Sequence, residues 1–400
     1  MNGDKGDFHV FITTAWFPDA TSTSGVFVKE QGEAIARAGH KVTILVITSF
    51  AFGAWMKKML KGERNTFESS NEVEIVIVNA IFFFPLRFFR NKNLQMKKRI
   101  LNRVWKKLKG YAMTKGKPDI VHHHCLSDNA YVGAFLAEKW NIPYVFTEHS
   151  PYSTDEELNK FNTIEDFDDR KKFVNGAKER IAVSKYWADR YGPIYGAPYC
   201  VVPNLVNEIF EGKINSAKDK GFVFVCVAGL NWQKNHKCLI PSFARKFKGN
   251  ENVILKLAGS GPFEERLKKL AIEQGVEKQI FFLGKLNREE VIQLFDRSHV
   301  AVLSSFMETF GIVLAEAMFR GLPVVSTASG GPEEFINPEN WLMAKYNDQE
   351  DLGDKLEEMY LHYNRYDGVK ISEWAKGKFS EKIIVEKIIA VYSRACNTGN

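Results

Sequence analysis

Two carboxylates eight positions apart, Glu308 and Glu316, lie where the residue types are best suited to chemistry. The chain there reads Ser304-Ser305-Phe306-Met307-Glu308-Thr309-Phe310-Gly311, then an apolar helical stretch carrying Glu316. Gly321-Leu322-Pro323-Val324-Val325-Ser326 and Ala328-Ser329-Gly330-Gly331-Pro332-Glu333-Glu334 follow. A buried strand, Val300–Leu303, leads into a loop with an acid. A helix begins near Phe310, and a second strand ends in a double glycine. Thr309, Phe310 and Gly311 would present unpaired N–H groups at the first helical turn, and Gly311 lets a ligand approach the backbone. Backbone donors, a helix N-terminus and two acids in one crevice suit an anionic sugar–diphosphate. A carboxylate beside a diphosphate is repulsive unless it meets hydroxyls, and a vicinal diol offers it two donors. Glu316 is therefore assigned to a ribose and Glu308 to a transferred sugar. Two acids on a solvated helix are the plainer alternative; the flanking apolar strands argue against it.

Other residues fit the same picture. Lys234 follows the strand Phe222–Ala228 in Gly229-Leu230-Asn231-Trp232-Gln233-Lys234-Asn235-His236, where an ammonium can neutralise a leaving diphosphate. Gly259-Ser260-Gly261-Pro262 follows the strand Val253–Leu257 as a further crevice loop, and Gly284-Lys285-Leu286 ends the next strand, where backbone atoms could meet a nucleobase. In the N-terminal half, Ser24-Gly25 opens a helix, so Gly25 can approach phosphates. His149, just after the strand Tyr144–Thr147, can hydrogen-bond the transferred sugar or assist proton transfer. His122-His123-His124 resembles a metal cluster, but adjacent strand residues point to opposite faces, so no metal site is assigned.

Short apolar runs at Phe8–Thr13, Lys41–Ile47, Val73–Val78, Ile120–Val121, Tyr144–Thr147, Ile181–Ser184 and Tyr199–Val202 alternate with helical periodicity. After a charged linker, Glu211–Lys220, the alternation resumes at Phe222–Ala228, Val253–Leu257, Ile280–Leu283, Val300–Leu303 and Pro323–Ser326. This pattern predicts an α/β fold of two doubly wound, Rossmann-like domains facing across a cleft. The expected bounds are 1–207 for an acceptor-binding domain and 208–379 for a nucleotide-sugar-binding one. A final helix over about 380–397 is expected to pack back on the first domain. The length of 400 residues agrees with two cores. Five scattered cysteines have no redox or metal spacing, which reads as buried thiols in a reducing cytoplasm. No apolar run is long enough to span a bilayer, and the N-terminus lacks a signal-peptide pattern.

The net charge of +7 is uneven: Arg87–Lys117 holds twelve Lys/Arg and no Asp/Glu, with Leu101, Val104, Leu108 and Tyr111 at helical spacing. Phe82-Phe83-Phe84-Pro85-Leu86-Arg87-Phe88-Phe89 precedes it. A basic amphipathic helix suits an anionic membrane surface; an ordinary solvated helix is the alternative. No motif supports nucleic-acid binding.

The run Glu308-Thr309-Phe310-Gly311…Glu316-Ala317-Met318…Gly321-Leu322-Pro323-Val324-Val325…Gly330-Gly331-Pro332-Glu333 resembles the nucleotide-sugar site of family 4 glycosyltransferases, which have the GT-B fold. Similar pieces occur in order at Ser24–Gln31, Arg37–Thr43, Pro118–His122, Ile181–Ser184, Val202–Asn204 and Leu257–Pro262, so the likeness covers nearly the whole chain. It implies retaining, metal-independent transfer of a hexosyl unit from a nucleoside diphosphate, with no cofactor, to a glycan or lipid-linked acceptor. The expected setting is cell-surface polysaccharide or glycolipid synthesis on the cytoplasmic membrane face. Within the resemblance Glu308 contacts the donor sugar, Glu316 the ribose, Lys234 the diphosphate, and His149 lies near the sugar. Two departures stand out. Gly229 occupies the place of an arginine often found beside the diphosphate lysine, and Leu205 and Asn207 stand near the usual glycine and aspartate. The first shifts phosphate charge to Lys234, helped by Lys285 or Lys237, and is the one feature favouring a non-catalytic, membrane-docked binder instead. Pro85–Asn93 and Pro151–Asp169 are candidate acceptor loops. Donor base, sugar, acceptor and oligomeric state are not specified by the sequence.

Overall fold

The computed structural model describes residues 7–18, 25–50, 67–69, 73–81, most of 101–109, 115–126, 130–150, 164–214, 218–335, 337 and 339–397. Most of the basic run Arg87–Lys117, the Phe82–Phe89 segment, the loop Pro85–Asn93 and residues 151–163 lie outside the described residues, as does Ser24.

The chain divides into two compact units. One holds Met1–Val183, Ala188–Val202 and Ile384–Asn400; the other holds Ser184–Trp187 and Pro203–Ile383. In the N-terminal unit the strands are β1 (His9–Thr14), β2 (Lys41–Phe50), β3 (Phe67–Ser69), β4 (Glu74–Ile81), β5 (Ile120–His124), β6 (Tyr144–Glu148), β7 (Glu179–Ala182) and β8 (Cys200–Val201). Their order is β3-β4-β2-β1-β5-β6-β7-β8, all parallel except the antiparallel edge strand β3. Every residue of β1, β5 and β6 is buried, as strands covered on both faces require. The helices are α1 (Val26–Arg37), α2 (Ala130–Trp140), α3 (Ile164–Gly176) and α4 (Lys185–Tyr195), whose first three residues, Lys185–Trp187, belong to the other unit. On α1, Val28, Gln31, Ala34 and Ile35 form the buried stripe. Residues 101, 102, 104–106, 108 and 109 are helical as well. Val104 and Leu108 are buried there, and the Trp105 ring lies 6.1 Å from that of Trp140. The apolar face of this basic segment is thus spent on the unit's own core.

The C-terminal unit has β9 (Phe222–Val227), β10 (Val253–Ala258), β11 (Ile280–Gly284), β12 (Val300–Leu303), β13 (Val324–Thr327) and β14 (Trp341–Ala344), all parallel, in the order β11-β10-β9-β12-β13-β14. Around them run α5 (His236–Phe247), α6 (Glu264–Gln274), α7 (Arg288–Arg297), α8 (Ile312–Phe319), α9 (Gln349–His362) and α10 (Gly368–Phe379); α11 (Glu381–Asn397) starts in this unit and from Ile384 onward belongs to the N-terminal one. The core joins Phe224, Leu255, Leu257 and Val302 of the sheet to Phe243 and Phe247 of α5 and Leu352 and Leu356 of α9. Each such side chain contributes about 1.5–3 kcal/mol by leaving water. α7 starts with a capping box between Asn287 and Glu290.

In both sheets the winding reverses beside the first strand of the unit, at β1/β5 and at β9/β12. Loops beyond the C-terminal ends of such strand pairs splay apart and leave a crevice.

Candidate active site

The crevice of the C-terminal unit is built by the loops after β9 and β12. After β9 the chain makes a 3-10 turn, Trp232–Lys234, capped by Asn231, whose Oδ1 accepts from Lys234 N at 3.2 Å. Asn235 then adopts a left-handed conformation (φ 48°) and α5 begins. The turn is tied to the β12 loop: Phe306 N donates to Gln233 O at 2.8 Å, Gln233 Nε2 to Met307 O at 3.0 Å, and Ser304 Oγ to Lys234 O at 3.0 Å. These ties bring Lys234 and Glu308 together. Lys234 Nζ lies 2.5 Å from Glu308 Oε1, and Ser305 Oγ donates to the same oxygen at 2.6 Å.

The backbone of Glu308 is fixed equally firmly. Its N–H donates to Ser329 O at 2.9 Å, and its carbonyl accepts from Gly331 N at 2.9 Å and from Trp187 Nε1 at 2.8 Å. The double glycine is required by close approach. A Cβ on Gly331 would lie 2.3 Å from Phe310 N, and one on Gly330 2.7 Å from the Tyr186 ring. Phe310 is a core residue, its ring 4.9 Å from Phe335 and 5.4 Å from Phe379. It anchors the chain before Gly311 (φ 85°) turns it into α8, which starts at Ile312, two residues beyond Phe310. Among the described residues, Thr309, Phe310 and Gly311 spend their N–H groups on no backbone hydrogen bond.

Glu316 is buried in α8 and paired with the guanidinium of Arg288, the first residue of α7. Burial pushes its carboxyl above the ordinary range, and Arg288 draws it back down. Arg288 also lies over the Phe210 ring at 5.2 Å. The sequence reading missed Arg288, although a basic residue in a helix's first turn opposes the helix dipole and is itself a signal. It likewise gave Ser305 and Trp187 no role.

Gly259 (φ 143°) serves the loops themselves: a Cβ there would lie 2.0 Å from Ala228 O, so the β10 loop can cross the β9 loop only at a glycine. Gly229 is different. A Cβ on it would meet only Asn231 Nδ2, at 3.3 Å, within 3.4 Å. Lys285 is exposed, at the end of edge strand β11 and two strands from β9.

The crevice of the N-terminal unit holds His149 and Gly25. Gly25 (φ 77°) caps α1, and a Cβ there would lie 2.1 Å from Trp16 O. His149 follows β6 and is buried, its ring 4.4 Å from Phe27 and 5.2 Å from His124. Its Nε2 lies 2.9 Å from His124 Nδ1, while its Nδ1 is buried with no partner among the described residues. Burial lowers its pKa to about 3, so it is neutral near pH 7 and cannot serve there as a cationic acid. Glu148, another residue missed in the sequence, accepts the N–H groups of His149 (2.9 Å), Ser150 (2.8 Å) and Leu126 (3.3 Å). Burial lifts its carboxyl to about 7 despite those bonds.

His122 and His124 share one face, rings 4.1 Å apart, and His123 points to the other, 2.7 Å from Thr13 Oγ1. His122 meets the hydroxyls of Tyr392 and Thr147, each at 2.7 Å. The described residues hold no group of His, Cys, Asp or Glu arranged for a metal ion, and none of their helices is long and apolar enough to cross a membrane.

Comparison with known proteins shows the family and the fold. Residues 24–208 match the family described as Glycosyltransferase Family 4, and residues 208–370 match Glycosyl transferases group 1. A probable sucrose-phosphate synthase of Thermosipho melanesiensis is 24% identical over 419 residues, covering 98% of this chain and 93% of its own. Among solved structures, sucrose-phosphate synthase from Thermosynechococcus elongatus superposes with a TM-score of 0.76 at 18% identity, covering 98% of this chain and 99% of that one. HepE of Anabaena, solved with UDP and glucose, gives a TM-score of 0.69 at 17% identity over 96% and 99% of the two chains.

Proposed function

This chain belongs to the family 4 glycosyltransferases of GT-B fold, and on that premise we propose that it transfers a hexosyl unit from a nucleoside-diphosphate sugar to a glycan or lipid-linked acceptor. In this reading the transfer proceeds with retention of anomeric configuration and without a metal ion. The observation that carries it is the Lys234–Glu308 pair at the reversal point of the second sheet.

A diphosphate entering there exchanges partners with Lys234, whose ammonium then stabilises the charge that builds on the leaving group. The N–H groups of Thr309, Phe310 and Gly311 face the same task. Glu308 gives up the lysine, keeps Ser305, and accepts hydroxyl protons from the sugar. Glu316, held by Arg288, accepts from the ribose diol. Gly25, Gly229, Gly259 and Lys285 belong to the donor-binding set in this reading, and His149 to the sugar contact. HepE's complex with UDP and glucose makes a UDP-sugar the first donor to try.

Glu308→Ala with intact folding should abolish transfer while a nucleoside diphosphate still raises the melting temperature. Full activity in that variant would end the proposal. Panels of UDP-, GDP- and ADP-sugars identify the donor by thermal shift, because a ligand binding only the native state stabilises it by mass action. Proton NMR of the product reads the anomeric outcome.

The acceptor class has two readings. The Lys/Arg excess in Arg87–Lys117 favours an acceptor at an anionic membrane, in cell-surface polysaccharide or glycolipid synthesis. Because Val104 and Leu108 are buried, this contact would be made by basic side chains such as Lys106 and Lys109 rather than by apolar insertion. The near full-length likeness to sucrose-phosphate synthases favours a soluble sugar phosphate instead. Co-sedimentation with anionic vesicles, with Lys97, Lys98 and Arg99 reversed to glutamate, separates the two. Undiminished vesicle binding by that variant would clear this segment of the role.

A further inference from the structure

We infer that a hydrogen-bond chain running from Gln31 through His124 fixes His149 in the tautomer protonated on Nδ1, so that His149 meets its substrate as a hydrogen-bond donor only. Gln31 lies on α1, His124 ends β5 and His149 follows β6, so three elements of one unit place the chain. The Gln31 amide nitrogen carries two hydrogens and accepts nothing. It lies 3.5 Å from His124 Nε2, which must therefore be the lone-pair nitrogen.

A neutral imidazole carries a single proton, and that of His124 is then on Nδ1. Nδ1 lies 2.9 Å from His149 Nε2 and donates to it. The remaining proton of His149 is left on Nδ1, the buried atom with no partner among the described residues.

The surroundings support one direction along this chain. Burial holds both rings neutral, His149 down to about 3 and His124 well below its usual value. His122 packs against His124 but bonds the hydroxyls of Tyr392 and Thr147, which donate or accept as needed, so it imposes no direction of its own. The His149 ring cannot flip to exchange its nitrogens without losing His124, and its main chain is tied to Glu148.

Gln31 and His124 are thus positioning residues. The group that His149 meets must offer an oxygen lone pair, and His149 neither gives up nor takes a proton during the reaction. The kinetic consequence rests on the reading that His149 touches the donor sugar; the tautomer itself does not.

The test is nitrogen NMR of the full chain labelled with 15N in its histidine rings, with the His149 signals identified by their loss in His149→Gln. Long-range proton–nitrogen correlation should show Nδ1 of His149 as the protonated nitrogen and Nε2 as the lone-pair one. The reverse pattern in the wild-type chain overturns the inference, whatever any variant does.

Gln31→Leu keeps the volume and removes the donor. It should move the His149 signals towards a mixture of tautomers and lower kcat/KM roughly tenfold, the worth of one hydrogen bond. A purely structural Gln31 would lower stability and leave the nitrogen signals in place, which would also overturn the chain. If the Nδ1–H tautomer is found but His149→Gln transfers at the wild-type rate, the relay stands and the sugar contact falls.

Discussion

The two units solve one problem with opposite chemistry. Both are doubly wound sheets with a crevice where the strand order reverses, and both bury polar side chains beside it. The N-terminal crevice uses neutral groups: His124 bonded to His149, and His122 bonded to the hydroxyls of Tyr392 and Thr147. The C-terminal crevice uses charge: Lys234 with Glu308, and Arg288 with Glu316. A neutral network keeps its geometry when a ligand arrives, because no ion competes for its members. A charged pair is poised to exchange, since an incoming phosphate competes for the lysine. Topology therefore chooses where a ligand binds, and the ionisation of the lining chooses which part of it is held.

The contrast breaks most visibly in acid. In the unfolded chain a histidine takes its proton near pH 6.5, whereas His122 and His149 hold out to about 3 and His123 to about 4. The unfolded state binds more protons as pH falls, so the stability held in this network is complete above about 6.5 and drains away towards 3. One such group accounts for up to about 5 kcal/mol. The C-terminal unit has fewer such groups, His236 and His299, each lowered to about 4. Urea unfolding at pH 7.5 and 5, with hydrogen exchange read unit by unit, should show the N-terminal unit losing protection first. Earlier loss in the C-terminal unit would refute the contrast.

Charge in the second crevice is tested by Lys234→Ala and Glu308→Gln. Each should lower kcat by about 10²–10³, as removing one transition-state donor commonly does. Histidine-to-glutamine changes in the first crevice should cost less. Equal losses on both sides would mean that charge is not what separates them.

Glu148 is the acid that stands among the neutral groups. Its carboxyl, near 4.5 when unfolded, is lifted to about 7 by burial. A folded value above the unfolded one gives stability that is full below about 4.5 and lost as pH rises through 7, worth about 3 kcal/mol. Glu148→Gln should flatten the stability profile between pH 5 and 8. A profile as steep as wild type would assign the titration to another group.

How far the sequence reached depended on whether a signal was local. The spacing of Glu308 and Glu316, the turn that presents Lys234 and the succession of apolar strands are local, and the structure places each of those side chains on the element expected for it. Long-range partners were not legible. Arg288 stands 28 positions before Glu316, and nothing at either place names the other. The histidines were read as alternating across a strand, as they do, but the link to His149 spans 25 positions and depends on the register of β5 with β6. The edge strands β3 and β14 were missed because short segments carry too few residues for a period to show. The packing of Gly259 against Ala228 appears only once two loops are in space.

A smaller effect is expected at Arg288. Arg288→Ala removes the partner of a buried carboxylate, so Glu316 should take up a proton more readily and accept hydroxyls less well. Donor KM should rise about tenfold near neutral pH, on the scale of one charge-assisted hydrogen bond, and the loss should shrink as pH is raised. A pH-independent loss would make Arg288 a direct ligand contact instead.

The smallest change adds to the contrast. Gly229 lies outside the left-handed region, and a Cβ there would press on the tip of the Asn231 side chain, at 3.3 Å, and meet Ser260 O at an ordinary 3.9 Å. Gly229→Arg therefore needs no change of backbone, and Asn231 has to give by a few tenths of an ångström. The added guanidinium would sit one turn of chain from Lys234 and share the diphosphate's charge, forming two parallel bonds where an ammonium forms one. Donor affinity should tighten by roughly two- to fivefold, on the order of one exposed charge contact, and the gain should fade in high salt because such a contact is screened. Calorimetry with the donor at two salt concentrations reads both. A weaker donor would show that Asn231 cannot yield without releasing the cap on Lys234, making that turn, rather than the number of cations, the feature that tunes the charged crevice.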